Sequence, residues 1–129
     1  MNFKTVTQED IDVLTQIVGT EFIHVGDTID IDFGHDELGT VFANPEVHVK
    51  VTTKEQISDI MIYANKEKIP VTVRGSGTGL VGSCVPIHGG ILLDTSKMNR
   101  IVELDKTNMT LRVEPGVLLM EISEFVEKE

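Results

Sequence analysis

The chain has 129 residues, a formal net charge of -10, 40% apolar residues, one Tyr and no Trp, which fits one domain with a modest core and excludes binding to phosphate backbones and anionic membranes, where Lys and Arg supply the affinity. Cys84 is the only cysteine, so an internal disulfide and a cysteine-rich metal site are excluded. With no apolar leader in Met1 to Glu9 and no run near the ~20 apolar residues of a membrane span, the chain reads as soluble and cytoplasmic.

Thr7 reads as a helix N-cap with Asp10 at the third helical position, and Ile11, Leu14, Ile17 and Val18 follow at helical spacing. An acidic, irregular stretch comes after Gly19, and Asn44-Pro45 closes it as a turn. Val47, Val49 and Val51 alternate with His48 and Lys50, a strand pattern. Thr53-Lys54-Glu55-Gln56 is a capping box. Ile57, Ile60, Met61 and Ala64 then mark one apolar helix face, and Lys66 and Lys68 suit its negative end. Ile69-Pro70 stops the helix, and Val71-Thr72-Val73 is a short β-branched strand. Strand, helix and strand form a βαβ unit with parallel strands. Ile91 to Leu93 is a further strand ending at Asp94. Ile101–Leu104 and Met109–Val113 flank a four-residue turn, as in a hairpin. Pro115-Gly116 breaks the run, either as a strand-ending turn or at the border of a site, and Leu118, Leu119, Ile122, Phe125 and Val126 begin an amphipathic helix. The expected class is α+β with an α/β subdomain: a βαβ unit, further strands and a hairpin, flanked by helices. Residues 1–44 read as an N-terminal helix with an acidic connecting segment, and 45–129 as the α/β part. The last helix ends at Glu127-Lys128-Glu129 without a cap, a pattern that reads as truncation of a longer chain.

Arg74-Gly75-Ser76-Gly77-Thr78-Gly79-Leu80-Val81-Gly82 holds four of the eleven glycines. Glycine lets successive backbone N–H groups converge without a Cβ clash, and such a nest binds phosphate without many cations. Arg74 either adds charge or holds the loop through backbone carbonyls. A P-loop needs Gly-Lys-Ser/Thr, and no lysine lies between Lys68 and Lys97. A Rossmann fingerprint matches Gly77-x-Gly79-x-x-Gly82 literally but needs a helix to follow. Pro86 and then Gly89-Gly90 forbid one. A flavin pyrophosphate loop between two strands tolerates both. A ligand-free glycine turn remains open, though four glycines in eight positions are costly to order.

Other polar residues carry less. Asp30, Asp32, His35, Asp36 and Glu37 fail EF-hand spacing, since Gly34 takes the fifth position from Asp30. They read as a solvated acidic loop or a contact to a further domain. His24, His48 and His88 have no partner at a recognised spacing and read as surface or strand-face residues. Cys84 reads as a small buried hydrophobe.

The run from Ile69 to Gly82 resembles the flavin loop of the vanillyl-alcohol oxidase / p-cresol methylhydroxylase family, in particular the branch of D-lactate dehydrogenase and the glycolate oxidase flavoprotein subunit. Pro45 to Val51, Gly90 to Asp94, Met98 to Ile101 and Val113 to Val117 match in the same order, so the resemblance runs from about His35 to the end. It implies the N-terminal half of a PCMH-type FAD-binding domain, with the second FAD subdomain and the substrate domain absent. It assigns FAD to Arg74, Gly75, Ser76, Gly77, Thr78, Gly79, Leu80 and Gly82, with no catalytic residue and no metal in this chain. Some relatives attach FAD through a histidine where Thr78 stands here, which implies non-covalent FAD. The activity implied for the whole enzyme is oxidation of a small 2-hydroxy acid, D-lactate or glycolate, with hydride passing to flavin N5. An electron-transfer flavoprotein or an iron-sulfur subunit is the implied electron acceptor, and the piece alone would lack turnover. The alternative is a stand-alone nucleotide- or anion-binding regulatory module.

Overall fold

The computed structural model describes residues 2–129. Helix α1 spans Gln8–Val18 and opens on a reciprocal cap: Thr7 Oγ1 accepts the Asp10 N–H, and the Asp10 carboxylate accepts the Thr7 N–H. It buries Leu14 and Val18, two of the positions that its apolar spacing marks. Ile23–Val25 forms strand β1, inside the stretch that reads as irregular. Three residues are too few to show a period of two. Antiparallel pairing with strand β2, Val47–Lys50, is what makes β1 a strand.

Helix α2, Lys54–Glu67, starts at the expected capping box, with Gln56 Oε1 accepting the N–H groups of Thr52 and Thr53. Ile60 and Ala64 are buried, whereas Met61 is 45% exposed and lies off the face that its spacing suggests. Lys68 closes the helix in the left-handed conformation, φ 57°. Strand β3, Val71–Arg74, and strand β4, Ile91–Asp94, complete a four-stranded sheet of order β1-β2-β4-β3. β2 and β3 are parallel, as the βαβ reading requires, but β4 lies between them and pairs with both.

That insertion determines the course of the glycine loop. Adjacent parallel strands need a crossover of about a dozen residues or more, usually a helix. Residues 75–90 make the crossover from β3 to β4 and contain no helix. They therefore return from the carboxyl end of β3 to the start of β4 as open backbone running over one face of the sheet. One sheet face packs Val47, Val49, Ile91 and Leu93 against Leu14, Val18, Ile60 and Ala64 of the two helices. The alternate residues His48, Leu92, Arg74 and Asp94 are buried as well, because the segment around Phe33 and the crossover loop cover the other face. Parallel strands covered on both sides lose polar alternation.

Strand β5, Ile101–Asp105, and strand β6, Thr110–Val113, form a separate antiparallel hairpin. The Asp105 carboxylate accepts the N–H groups of Thr107 and Asn108 in its turn. Helix α3, Leu119–Glu127, buries none of its residues, and its apolar Leu119 and Met120 are exposed. No helix among the described residues is long and apolar enough to cross a membrane.

Gly90 joins the crossover to β4 at φ +68°, and a Cβ there would run into the backbone oxygen of Pro70. Its N–H donates to Glu46 Oε2 (2.8 Å), and its carbonyl accepts from Glu46 and Val47, so the backbone cannot turn aside. Gly90→Ala is expected to cost about 3 kcal/mol, from left-handed strain of ~1–2 kcal/mol plus forced separation of packed backbone. Urea unfolding should show a lower midpoint at unchanged slope.

Candidate functional site

The carboxyl ends of the three parallel strands place Lys50, Arg74 and Asp94 side by side in register. Ligand crevices in open α/β sheets lie outside this end of the strands. A cleft of about 520 Å³ opens here, lined by Phe33, His35, Lys50, Gly75, Gly77 and Ser96 among others. Asp94 lines it too, and belongs to a polar pair on the covered sheet face. His48 Nε2 lies 3.0 Å from Asp94 Oδ2, and both side chains are buried. A carboxylate only accepts, which puts a proton on Nε2. Burial pushes the Asp94 carboxyl up, but hydrogen bonds from His48 and the Ser96 N–H outweigh burial and leave it below the ordinary range. Phe33 packs on the His48 ring at 4.2 Å between centroids, and the Arg74 guanidinium lies 5.5 Å from the Phe33 centroid. His48 is thus a buried strand-face residue. His24 stacks on it at 5.2 Å.

The eight sequence-assigned residues form one strand end and one loop. Arg74 is buried, and its Nη1 donates to the His35 carbonyl at 2.7 Å. Of the two roles open to it in the sequence, the structure supports holding the loop. Cys84 Sγ lies 3.5 Å from the same Nη1 and is buried. Gly77 and Gly82 hold positive φ, +78° and +74°. Gly75 and Gly79 do not, and a Cβ at Gly75 would meet nothing within 4 Å, while one at Gly79 would only touch Ser83 Oγ at 3.9 Å. The protein itself therefore does not require glycine at either position. Among the described residues, the N–H groups of Ser76, Gly77, Thr78, Gly79, Leu80 and Val81 donate to no protein acceptor, whereas the Gly82 N–H does. Leu80 and Val81 project into solvent, 59% and 86% exposed. Ser76 Oγ and Thr78 Oγ1 lie 3.3 Å apart on the same exposed turn. Open space at Gly75 and Gly79, beside a row of free donors, fits a pyrophosphate. With Arg74 turned inward, these donors would bind it through backbone dipoles.

The acidic segment before β2 does more than its composition suggests. Among the described residues, no three His, Cys, Asp or Glu side chains converge as metal ligands would. Asp36 is buried, and its carboxylate accepts the N–H groups of Gly82 (2.7 Å) and Gly39 (3.2 Å). The Gly82 N–H foremost, then those of Gly39 and Leu38, hold its carboxyl below the ordinary range against the effect of burial. The Glu37 N–H donates to the Gly77 carbonyl at 3.1 Å. The one local sign is the Asp36–Gly39 turn, a recurrent Asx pattern. Nothing in the sequence marks Gly82 as the second donor.

A sequence family described as an FAD binding domain matches residues 45–129. A D-lactate dehydrogenase of Anaerostipes hadrus is 39% identical over 128 residues, which cover 98% of this chain and 27% of that protein. The glycolate oxidase subunit GlcD of Bacillus subtilis is 28% identical over 124 residues, 96% of this chain and 26% of its own length. Among solved structures, p-cresol methylhydroxylase with substrate bound aligns with a TM-score of 0.79 at 25% identity, over 98% of this chain and 26% of that one. The chain spans about a quarter of the length of these relatives.

Proposed function

The chain belongs to the FAD binding domain family of flavin oxidoreductases, with FAD as cofactor, and from that premise we propose that residues 74–82 hold the FAD pyrophosphate. Residues 45–129 then form the N-terminal α/β part of the FAD-binding domain, and 1–44 lead into it. The observation that carries this reading is Gly79. Neither its φ nor its surroundings demand glycine, while its N–H and those beside it lack protein acceptors among the described residues. A ligand approaching the backbone closely accounts for both. Gly75 stands in the same position. The Ser76 and Thr78 hydroxyls and the N–H groups from Ser76 to Val81 are the donors offered. Thr78 cannot form an imidazole bond to flavin, so the cofactor is held without a covalent link at this loop.

FAD supplies a two-electron acceptor when bound. The whole protein then oxidises a small 2-hydroxy acid, D-lactate or glycolate, and passes electrons to a protein acceptor such as an electron-transfer flavoprotein or an iron-sulfur subunit. The D-lactate dehydrogenase of A. hadrus and the GlcD subunit of B. subtilis support this class. This chain's own part is binding and orientation, and turnover needs the rest of such a protein.

The test is a titration of the chain with FAD, followed by flavin fluorescence, beside Gly79→Ala. Saturable binding is expected in the unchanged chain, at least ten-fold weaker in the variant, with acid precipitation leaving all flavin in solution. Thermal stability should be unchanged or slightly higher, because Gly→Ala at an ordinary φ stabilises by ~0.4–1 kcal/mol through the unfolded state. Equal affinity in the two proteins would remove the pyrophosphate from this loop.

A further inference from the structure

Three successive residues, His35, Asp36 and Glu37, each hold a different part of the glycine loop. The His35 carbonyl takes the guanidinium of Arg74, where the loop leaves β3. The Glu37 N–H holds the Gly77 carbonyl in the middle. Asp36 Oδ2 holds the Gly82 N–H at the far end, and Asp36 Oδ1 closes the turn at Gly39. The contacts join residues about forty positions apart in sequence, and two of the three hold loop backbone directly. No regular structure otherwise fixes the loop, because residues 75–90 contain neither helix nor strand. A nest binds an anion only when its N–H groups are already aimed at one point, since ordering them on binding would subtract from affinity.

We infer that Asp36 is a positioning residue for the cofactor: its carboxylate pins the Gly82 end of the pyrophosphate loop and so sets the aim of the free N–H groups before FAD arrives. This inference rests on the assignment of the pyrophosphate to residues 74–82. The carboxylate is aimed at protein N–H groups and is buried beneath the loop. It acts through the Gly82 backbone and need not touch the ligand. Asp36→Asn keeps the shape but offers an NH2 group to one of two donors, so it loses one contact. Asp36→Ala loses both.

The experiment uses the 129-residue chain, isotopically labelled, with ADP as the probe because it carries the pyrophosphate without the flavin. Amide chemical shifts of residues 75–82 are followed against ADP up to millimolar concentration, and amide exchange is recorded without ligand. Asp36→Ala should weaken ADP at least ten-fold and Asp36→Asn three-fold or more. Exchange should accelerate at Gly82, Gly39 and Glu37 and stay unchanged at Val49 and Leu93 in the core. The exposed Asp59→Asn serves as a control for loss of one negative charge and should bind ADP as the unchanged chain does. If the unchanged chain shows no loop shifts with ADP, the pyrophosphate assignment falls and the inference with it. If the unchanged chain binds and Asp36→Ala binds equally well, the inference alone is overturned. A core that also loses protection, in Asp36→Ala and in the milder Asp36→Asn alike, would make the residue a general stabiliser, which overturns the inference too.

Discussion

Gly77→Ala is expected to abolish FAD binding, lowering affinity at least a hundred-fold, and to destabilise the fold by about 2–4 kcal/mol, from left-handed strain plus a displaced buried hydrogen-bonding group. A Cβ at this position would collide with Arg74 Nη2 and Cζ. A collision with the tip of an arginine is ordinarily cheap, because a long side chain swings away. This guanidinium cannot swing. It is buried, donates to the His35 carbonyl at 2.7 Å, and lies 5.5 Å from the centroid of Phe33, which itself packs on His48. Moving it would strip a buried donor of its partner. Moving the backbone instead would break the Glu37 N–H bond to the Gly77 carbonyl and spoil a φ of +78°. Either way the loop loses its shape. The contrast with Gly79→Ala is the decisive part. Two substitutions of identical chemistry, two positions apart, should both weaken FAD, yet only the one at Gly77 should lower the melting temperature. Equal melting temperatures for the two variants would show that Arg74 does not brace the loop.

The same contrast marks how far the sequence alone leads. Helix starts were legible because their determinants are local: Thr53 and Gln56 are three residues apart, and Thr7 and Asp10 likewise. The glycine loop was legible because its composition is the determinant, and Pro86 with Gly89-Gly90 is by itself incompatible with the helix that a Rossmann loop needs. The place of β4 between β2 and β3 was hidden, since strand order is settled by long-range pairing that leaves no short motif. So was the burial of His48. Its alternation with valines suggests a face of different character, and only the cover from Phe33 and the crossover turns that face into interior. Asp36 shows the limit most plainly. It stands in an acidic run whose composition suggests solvent, and its partner Gly82 is 46 residues away. Asp94, which pairs with His48 across 46 residues, shows in the sequence only as the end of a strand.

The largest stability effect is expected at Asp10, which the sequence presents as a helix-cap residue and the structure makes the centre of a buried polar cluster. Its side chain is fully buried. Oδ1 accepts from Lys4 Nζ (2.7 Å) and Tyr63 Oη (2.6 Å), and Oδ2 from the Thr7 N–H (2.8 Å) and Oγ1 (2.7 Å). Lys4 also reaches Glu67 at 3.1 Å. One carboxylate therefore ties the N-terminal segment, α1 and α2 together. Asp10→Ala leaves the Tyr63 hydroxyl and the Thr7 N–H and hydroxyl facing an apolar methyl and should cost about 3–5 kcal/mol, chiefly from these stranded donors, because Lys4 is 35% exposed and keeps Glu67 and solvent. Asp10→Asn should recover only part of this, because its NH2 faces one of the two pairs of donors. Burial opposes the charge on Asp10, but the hydrogen bonds from Lys4, Tyr63 and Thr7 outweigh it and hold the carboxyl far below its ordinary 3.8. A depressed folded value means that the stabilisation is complete above the unfolded value and fades as pH falls below about 4 through the lower folded one. On the alkaline side, burial and then the bond to Asp10 push Tyr63 from 10.0 up to about 12, and the bond to Asp10 foremost raises Lys4 above its ordinary 10.5. Raised values stabilise at low pH and lose that contribution as pH climbs, for Tyr63 between 10.0 and about 12. Urea unfolding of the unchanged chain and Asp10→Ala across pH 2 to 11 should show a gap that is widest from about pH 5 to 9 and narrows at both ends. A gap independent of pH would mean that Asp10 contributes through packing alone, and the charged cluster would lose its place in the account.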